Sequence, residues 1–147
     1  MIDAAKIVNF APMRSILVIR LSSMGDVILA TPLVRQLQRT YPTARIDVAV
    51  AERFADVWAN NPRVTCVWSI PSTTPTDADV DEVKIEMLES LAGPFEGRYD
   101  LIVDLQNNLR SAALRHGLGQ RVVTAPKHRW EKLALVWLKK QPAVVTP

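Results

Sequence analysis

Apolar positions in this chain change their spacing several times, and each change marks an element. Ile16, Leu17, Val18 and Ile19 form a short unbroken apolar run, the pattern of a strand buried on both faces of a parallel sheet. A turn of small residues follows, Ser22-Ser23-Met24-Gly25-Asp26. Beyond it Leu29, Leu33 and Leu37 recur every fourth residue, with Arg35, Gln36 and Arg39 between them. That spacing predicts one amphipathic helix from Gly25 to near Pro42. Pro32 is tolerated early in such a helix, although it leaves one carbonyl without its usual donor. Arg45 to Val50 alternates and is rich in branched residues, which predicts a second strand. Glu52 to Asn60 reads as a short helix stopped by Asn61-Pro62, and Val64 to Ile70 as a third strand. Pro71 to Thr76 is a run of turn formers. Asp77 to Leu91 reads as a helix with its acids early, where the helix dipole favours them. After a turn at Gly93 to Arg98, Tyr99 to Leu105 predicts a fourth strand. Leu109 to His116 reads as a helix ended by Gly117 and Gly119, Arg121 to Thr124 as a fifth strand, and Lys127 to Lys140 as a last helix.

Strands that alternate with helices predict an α/β fold, a Rossmann-like doubly wound parallel sheet, because right-handed crossovers place helices on both faces. A strand order of 3-2-1-4-5 brings the carboxyl ends of strands one and four together at the switch point, where such sheets bind ligands. Those ends carry the two most polar turns, Ser22 to Asp26 and Asp104 to Asn108. The expected organisation is a leader over residues 1–13, one domain over 14–141 and the start of a linker over 142–147.

Composition narrows the class. With 147 residues, 48% hydrophobic and 22% charged, the chain is long enough for one domain with a real core and is globular in character. A net charge of +3 is too small to argue for nucleic acid. Its distribution is uneven, with Asp77 to Glu89 acidic and Arg110 to Lys140 basic, which suits an anionic partner for the last third or simply a solvated face. The single cysteine, Cys66, sits in an apolar run and reads as a small buried hydrophobe; no internal disulfide can form. No apolar run approaches the roughly 20 residues of a membrane span, and the first residues do not form a secretory signal, so a cytoplasmic protein is expected.

The first turn holds the candidate chemistry. Gly25 has no β-carbon and allows close approach to the backbone. Ser22 and Ser23 offer hydroxyls. Asp26, at or near the first helical position, is favoured as a carboxylate, and a free carboxylate at a cleft mouth can act as a general base. The alternative for Asp26 is helix capping and no more. The turn is neither G-x-G-x-x-G nor a P-loop. At the second turn, Asp104, Gln106, Asn107 and Asn108 suit sugar hydroxyls. Alternatively Asn107 or Asn108 caps the next helix, and Asp104 is satisfied by nearby N–H groups.

The last helix places Trp130, Leu133, Ala134, Trp137 and Leu138 on one stripe flanked by Lys and Arg. Such a helix packs on the sheet or lies on an anionic membrane surface. Asp77, Asp79 and Asp81 lack the Gly and distal Glu of a calcium loop, and no metal site is expected.

Three stretches, ILVIRLSSMGDVILATPLVRQLQRTYPTARIDVAV, NPRVTCVW and YDLIVDLQNNLRSAAL, resemble the N-terminal domain of the ADP-heptose:lipopolysaccharide heptosyltransferases, glycosyltransferase family 9. The resemblance covers nearly all of the chain after Arg14. It implies the GT-B architecture, with an acceptor-side N-terminal domain facing a donor-binding C-terminal domain that would lie beyond Pro147. It implies an inverting, metal-independent transfer without a cofactor, from a nucleotide-sugar such as ADP-heptose. On that resemblance Asp26 is the general base. Ser22, Ser23, Met24 and Gly25 shape the pocket floor, Asp104 and Gln106 face it, and Arg129 contacts phosphate on the acceptor. The expected partners are a glycan acceptor, lipid-linked or free, and the donor domain, with peripheral contact at the inner membrane. Two positions depart from the family pattern. Asn107 stands where D-x-Q is usually followed by Gly. Ser69 to Asp81 holds no basic residue where some inner-core members carry several, which argues against a phosphorylated lipid A acceptor. The competing reading is a non-catalytic Rossmann-like module that binds an anionic surface or partner through its basic last third.

Overall fold

The computed structural model describes residues 13–71 and 77–124. Five parallel strands form one sheet in the order β3-β2-β1-β4-β5, as the pattern predicts. They are β1 (Ser15–Ile19), β2 (Arg45–Ala51), β3 (Cys66–Ile70), β4 (Leu101–Asp104) and β5 (Val122–Thr124). The central strand β1 is buried at every position, which is why its residues Ile16 to Ile19 are continuously apolar rather than alternating. Strand β1 pairs with β2 on one side, Ile16 opposite Ile46, and with β4 on the other, Ile19 opposite Asp104. Tyr99 makes only an isolated bridge to Gly119, so the fourth strand is shorter than Tyr99 to Leu105.

The helices are α1 (Met24–Leu29), α2 (Thr31–Thr40), α3 (Asp77–Leu91) and α4 (Leu109–Arg115). Val27, Ala30, Val34 and Trp58 close one core against Ile16, Val18, Val48 and Val103. Val80, Met87, Leu91 and Leu114 close the other against Leu17, Ile19, Ala49 and Ile102. The sheet is therefore covered on both faces. Met13, placed in the leader by the sequence, is buried in the first of these cores.

One expectation is corrected. The single helix from Gly25 to Pro42 is two helices meeting at Ala30, because Pro32, in the first turn of α2, has no N–H for the Ile28 carbonyl. The Thr31 hydroxyl donates to that carbonyl instead, at 2.7 Å. The short helix expected over Glu52 to Asn60 is present but shorter, a 3-10 helix over Glu52–Val57.

One buried polar group stands out in β2. Asp47 is fully buried, and the Tyr99 hydroxyl (2.6 Å) and Arg45 (2.8 Å) converge on its Oδ2. Arg45 also donates to Ser90 Oγ at 2.7 Å. Burial first, then the adjacent Asp47 charge and hydrogen bond, push the Tyr99 hydroxyl far above its ordinary range, so it remains a donor at any working pH.

Candidate functional site

Parallel pairing of β1 with β4 sets two turns side by side at the carboxyl edge of the sheet. The first runs from Arg20 into α1. Ser23 is the N-cap residue, and the Ser22–Ser23 peptide bond is cis. Asp26 therefore stands third in the helix rather than first. From there its Oδ2 reaches back to the Ser23 N–H (3.4 Å) and accepts from the Ser23 hydroxyl (3.1 Å). This is the reach-back half of a capping arrangement.

The carboxylate has a charged partner that the sequence did not reveal. Arg20 NH2 lies 2.6 Å from the same Oδ2. Oδ1 takes no hydrogen bond from any of the described residues. Partial burial raises the Asp26 pKa, but the Arg20 hydrogen bond and charge, with the two Ser23 hydrogen bonds, outweigh it. The net result holds the carboxyl below its ordinary value. Capping and ionisation thus coexist in one side chain.

The second turn follows β4. Asp104 is completely buried; its Oδ1 accepts from the N–H groups of Gln106 (3.1 Å) and Asn107 (2.8 Å). Its Oδ2 faces Arg115 Nε at 3.1 Å. Asp104, expected to contact a ligand, instead holds the turn, because every oxygen is turned inward. Asn107 has φ +45°, the left-handed region that glycine favours and asparagine tolerates. Asn108 is the N-cap of α4, its side chain accepting from Ser111 N at 2.9 Å.

Gln106 joins the two turns. Its Oε1 lies 3.2 Å from Leu21 N and 3.4 Å from Ser22 N, each of which donates to it. Arg20 NH1 donates in the opposite direction, to the Leu105 carbonyl at 2.8 Å. Ser22 is half-buried, while Ser23, Met24 and Gly25 are exposed at the rim. A β-carbon built on Gly25 would meet nothing within 4 Å.

Arg20 was the residue the sequence reading missed. Its one signal was a basic residue directly after a run of four buried apolar ones. Arg129 and the predicted last helix lie outside the described residues. Cys66 is half-buried rather than buried, and burial, then the Asp47 charge, push its thiol pKa up. Among the described residues no group of three or more His, Cys, Asp or Glu is placed to hold a metal ion, and no helix is long and apolar enough to cross a membrane.

Fold and site define the class as an α/β Rossmann-like domain with two polar turns side by side at the carboxyl edge of its sheet. No family model matches the chain. It is 26% identical over 115 residues to lipopolysaccharide heptosyltransferase 3 of Escherichia coli, covering 78% of this chain and 33% of that protein. It is 24% identical over 98 residues to lipopolysaccharide heptosyltransferase 3 of strain K12, covering 67% and 28%. The chain thus spans about a third of the length of the curated relatives it matches.

Among solved structures, a glycosyl transferase family 9 protein from Veillonella parvula DSM 2008 superposes with a TM-score of 0.68 at 18% identity, over 88% of this chain and 42% of that one. E. coli heptosyltransferase WaaC with ADP gives a TM-score of 0.57 at 24% identity, over 75% and 34%. E. coli ADP-heptose lps heptosyltransferase II gives 0.57 at 24% identity, over 82% and 40%. The resemblance to the family 9 heptosyltransferases is therefore found again in the names of the curated relatives, and the fold is the one these solved structures share.

Proposed function

We propose that this chain forms the acceptor side of an inverting family 9-type glycosyltransferase. The reaction moves a heptose, or a related sugar, from a nucleotide-sugar such as ADP-heptose to a lipopolysaccharide-type glycan. The observation that carries the reading is the side-by-side placement of the Ser22–Asp26 and Asp104–Asn108 turns, with one Asp26 oxygen unengaged among the described residues. Similarity to named heptosyltransferases supports it.

In this reading Asp26 takes the proton of the acceptor hydroxyl as that oxygen attacks the anomeric carbon. Attack comes from the face opposite the diphosphate, the bond to the diphosphate breaks, and the configuration inverts. A carboxylate made less basic by Arg20 and a helix N-terminus serves when proton transfer is late, once the attacking oxygen has become acidic. The amide N–H groups of Gln106 are then left for a sugar hydroxyl, since its oxygen is engaged by the backbone. Gly25 and Met24 form the rim, and Asp104 fixes the turn that carries Gln106. Arg129 is proposed to contact phosphate on the acceptor. A donor-binding domain would supply the positive charge that stabilises the leaving diphosphate. The proposal includes no cofactor and no protein-bound metal. It places the reaction in the cytoplasm, at the inner membrane where the acceptor is lipid-linked.

The test is Asp26→Asn in this chain joined to a donor-binding domain. Transfer should fall by roughly 100-fold or more, as for loss of a general base. Transfer within a few-fold of the parent overturns the role.

A further inference from the structure

We infer that Arg20 is a positioning residue for Asp26: it holds Oδ2 and leaves Oδ1 as the oxygen that takes the proton. The inference rests on the reading of Asp26 as the base.

Three observations carry it. The first is how the donors divide between the two oxygens. Arg20 NH2, the Ser23 N–H and the Ser23 hydroxyl all converge on Oδ2, and no described residue donates to Oδ1. A carboxylate gripped through one oxygen cannot rotate freely, so the other oxygen is presented in one orientation before a ligand arrives.

The second is the anchoring of the grip. Arg20 NH1 donates to the Leu105 carbonyl, 85 residues away in sequence and at the end of the neighbouring strand. The guanidinium therefore spans from the β4 end to α1, and the position of Asp26 is tied to both turns. The Arg20 side chain is 12% exposed and that of Asp26 23%, so the pair is partly covered and still reached by solvent on the Asp26 side.

The third is a cost. Arg20 Nε is buried with no partner among the described residues. A buried donor left unmade is destabilising. Capping of α1 by Ser23 and Asp26 needs no arginine, so an arginine with a wasted donor is not explained by capping.

Other charged groups lie on the elements packed against α1: Arg35 and Arg39 on α2, and Glu52, Arg53 and Asp56 on the 3-10 helix. None of these pairs with Asp26 among the described residues, where its ion pair is with Arg20.

The experiment follows the Asp26 side-chain carboxyl signal by NMR during a pH titration of the whole 147-residue chain. In Arg20→Gln the midpoint should rise above that of the parent. In Arg20→Lys, which restores the charge, it should return most of the way. An unmoved midpoint in Arg20→Gln, with the amide signals of β2 and β3 unchanged, overturns the inference. If Arg20→Gln does not fold, the parent protein still decides. Arg20 guanidinium signals that shift with the Asp26 midpoint support the clamp, and signals that ignore it overturn the clamp.

Titration needs no turnover. A raised midpoint, together with an Asp26→Asn enzyme that still transfers sugar, overturns the base and leaves the clamp standing. In the enzyme joined to a donor domain, the acid limb of kcat/KM should move with the NMR midpoint.

Discussion

Gln106 Oε1 accepts the backbone N–H of Leu21 at 3.2 Å, and through that bond the turn after β4 holds the turn after β1 in place. A backbone N–H left unpaired in a part-buried position costs about 1–3 kcal/mol. Gln106→Ala should therefore lower unfolding free energy by about that much, read from the urea midpoint at constant slope. Gln106→Glu keeps an acceptor oxygen and should lose less. In the joined enzyme it should still reduce acceptor binding, because the amide N–H groups are gone.

Asn107, at φ +45°, predicts an ordering of substitutions. Asn107→Gly should be neutral or slightly stabilising. Asn107→Val should cost roughly 1–2 kcal/mol, since a branched side chain is disfavoured in the left-handed region. Thermal unfolding of the two variants checks it.

At Gly25 stability and function should part. An added β-carbon meets nothing within 4 Å, and alanine is the better helix former by up to about 1 kcal/mol. Gly25→Ala should thus leave Tm unchanged or raised. If a ligand closes on this backbone, acceptor affinity should fall several-fold in the same protein. Unchanged affinity would remove Gly25 from the binding surface.

The Asp47 cluster should dominate stability without touching the site. Tyr99→Phe removes one buried hydrogen bond to a carboxylate and should cost about 1.5–3 kcal/mol. Asp47→Ala removes the shared acceptor of Tyr99 and Arg45, although Arg45 keeps its Ser90 bond, and should cost more than Tyr99→Phe. Urea denaturation of both variants is the measurement.

Asp26 predicts a pH dependence of fixed sign. Its pKa is lower folded than unfolded, so its contribution to stability is full above the unfolded value. That contribution is lost as pH falls through the folded one. Unfolding midpoints of the parent should drop more steeply below about pH 4 than those of Asp26→Asn. Parallel curves would contradict the ion pair.

Much of the architecture follows from local pattern. The unbroken run Ile16–Ile19 could hide its apolar atoms only in a sheet covered on both faces. Right-handed crossovers then leave few strand orders, and 3-2-1-4-5 is the observed one. The same reasoning put Ser22–Asp26 and Asp104–Asn108 on one edge. It did not reveal that Pro32 would divide the first helix at Ala30, because a proline near a helix start is compatible with one helix or two.

Nor could pattern show which oxygen of Asp26 is held, that Asp104 is turned inward, or that a charged residue in β2 would be fully buried. These depend on side chains meeting across long stretches of chain. Arg20 reaches Leu105 over 85 residues, and Tyr99 reaches Asp47 over 52. Periodicity reports which face a residue shares with its near neighbours. Partnership between distant polar groups is settled by ångström-scale distances, which exist only once the strands are packed side by side.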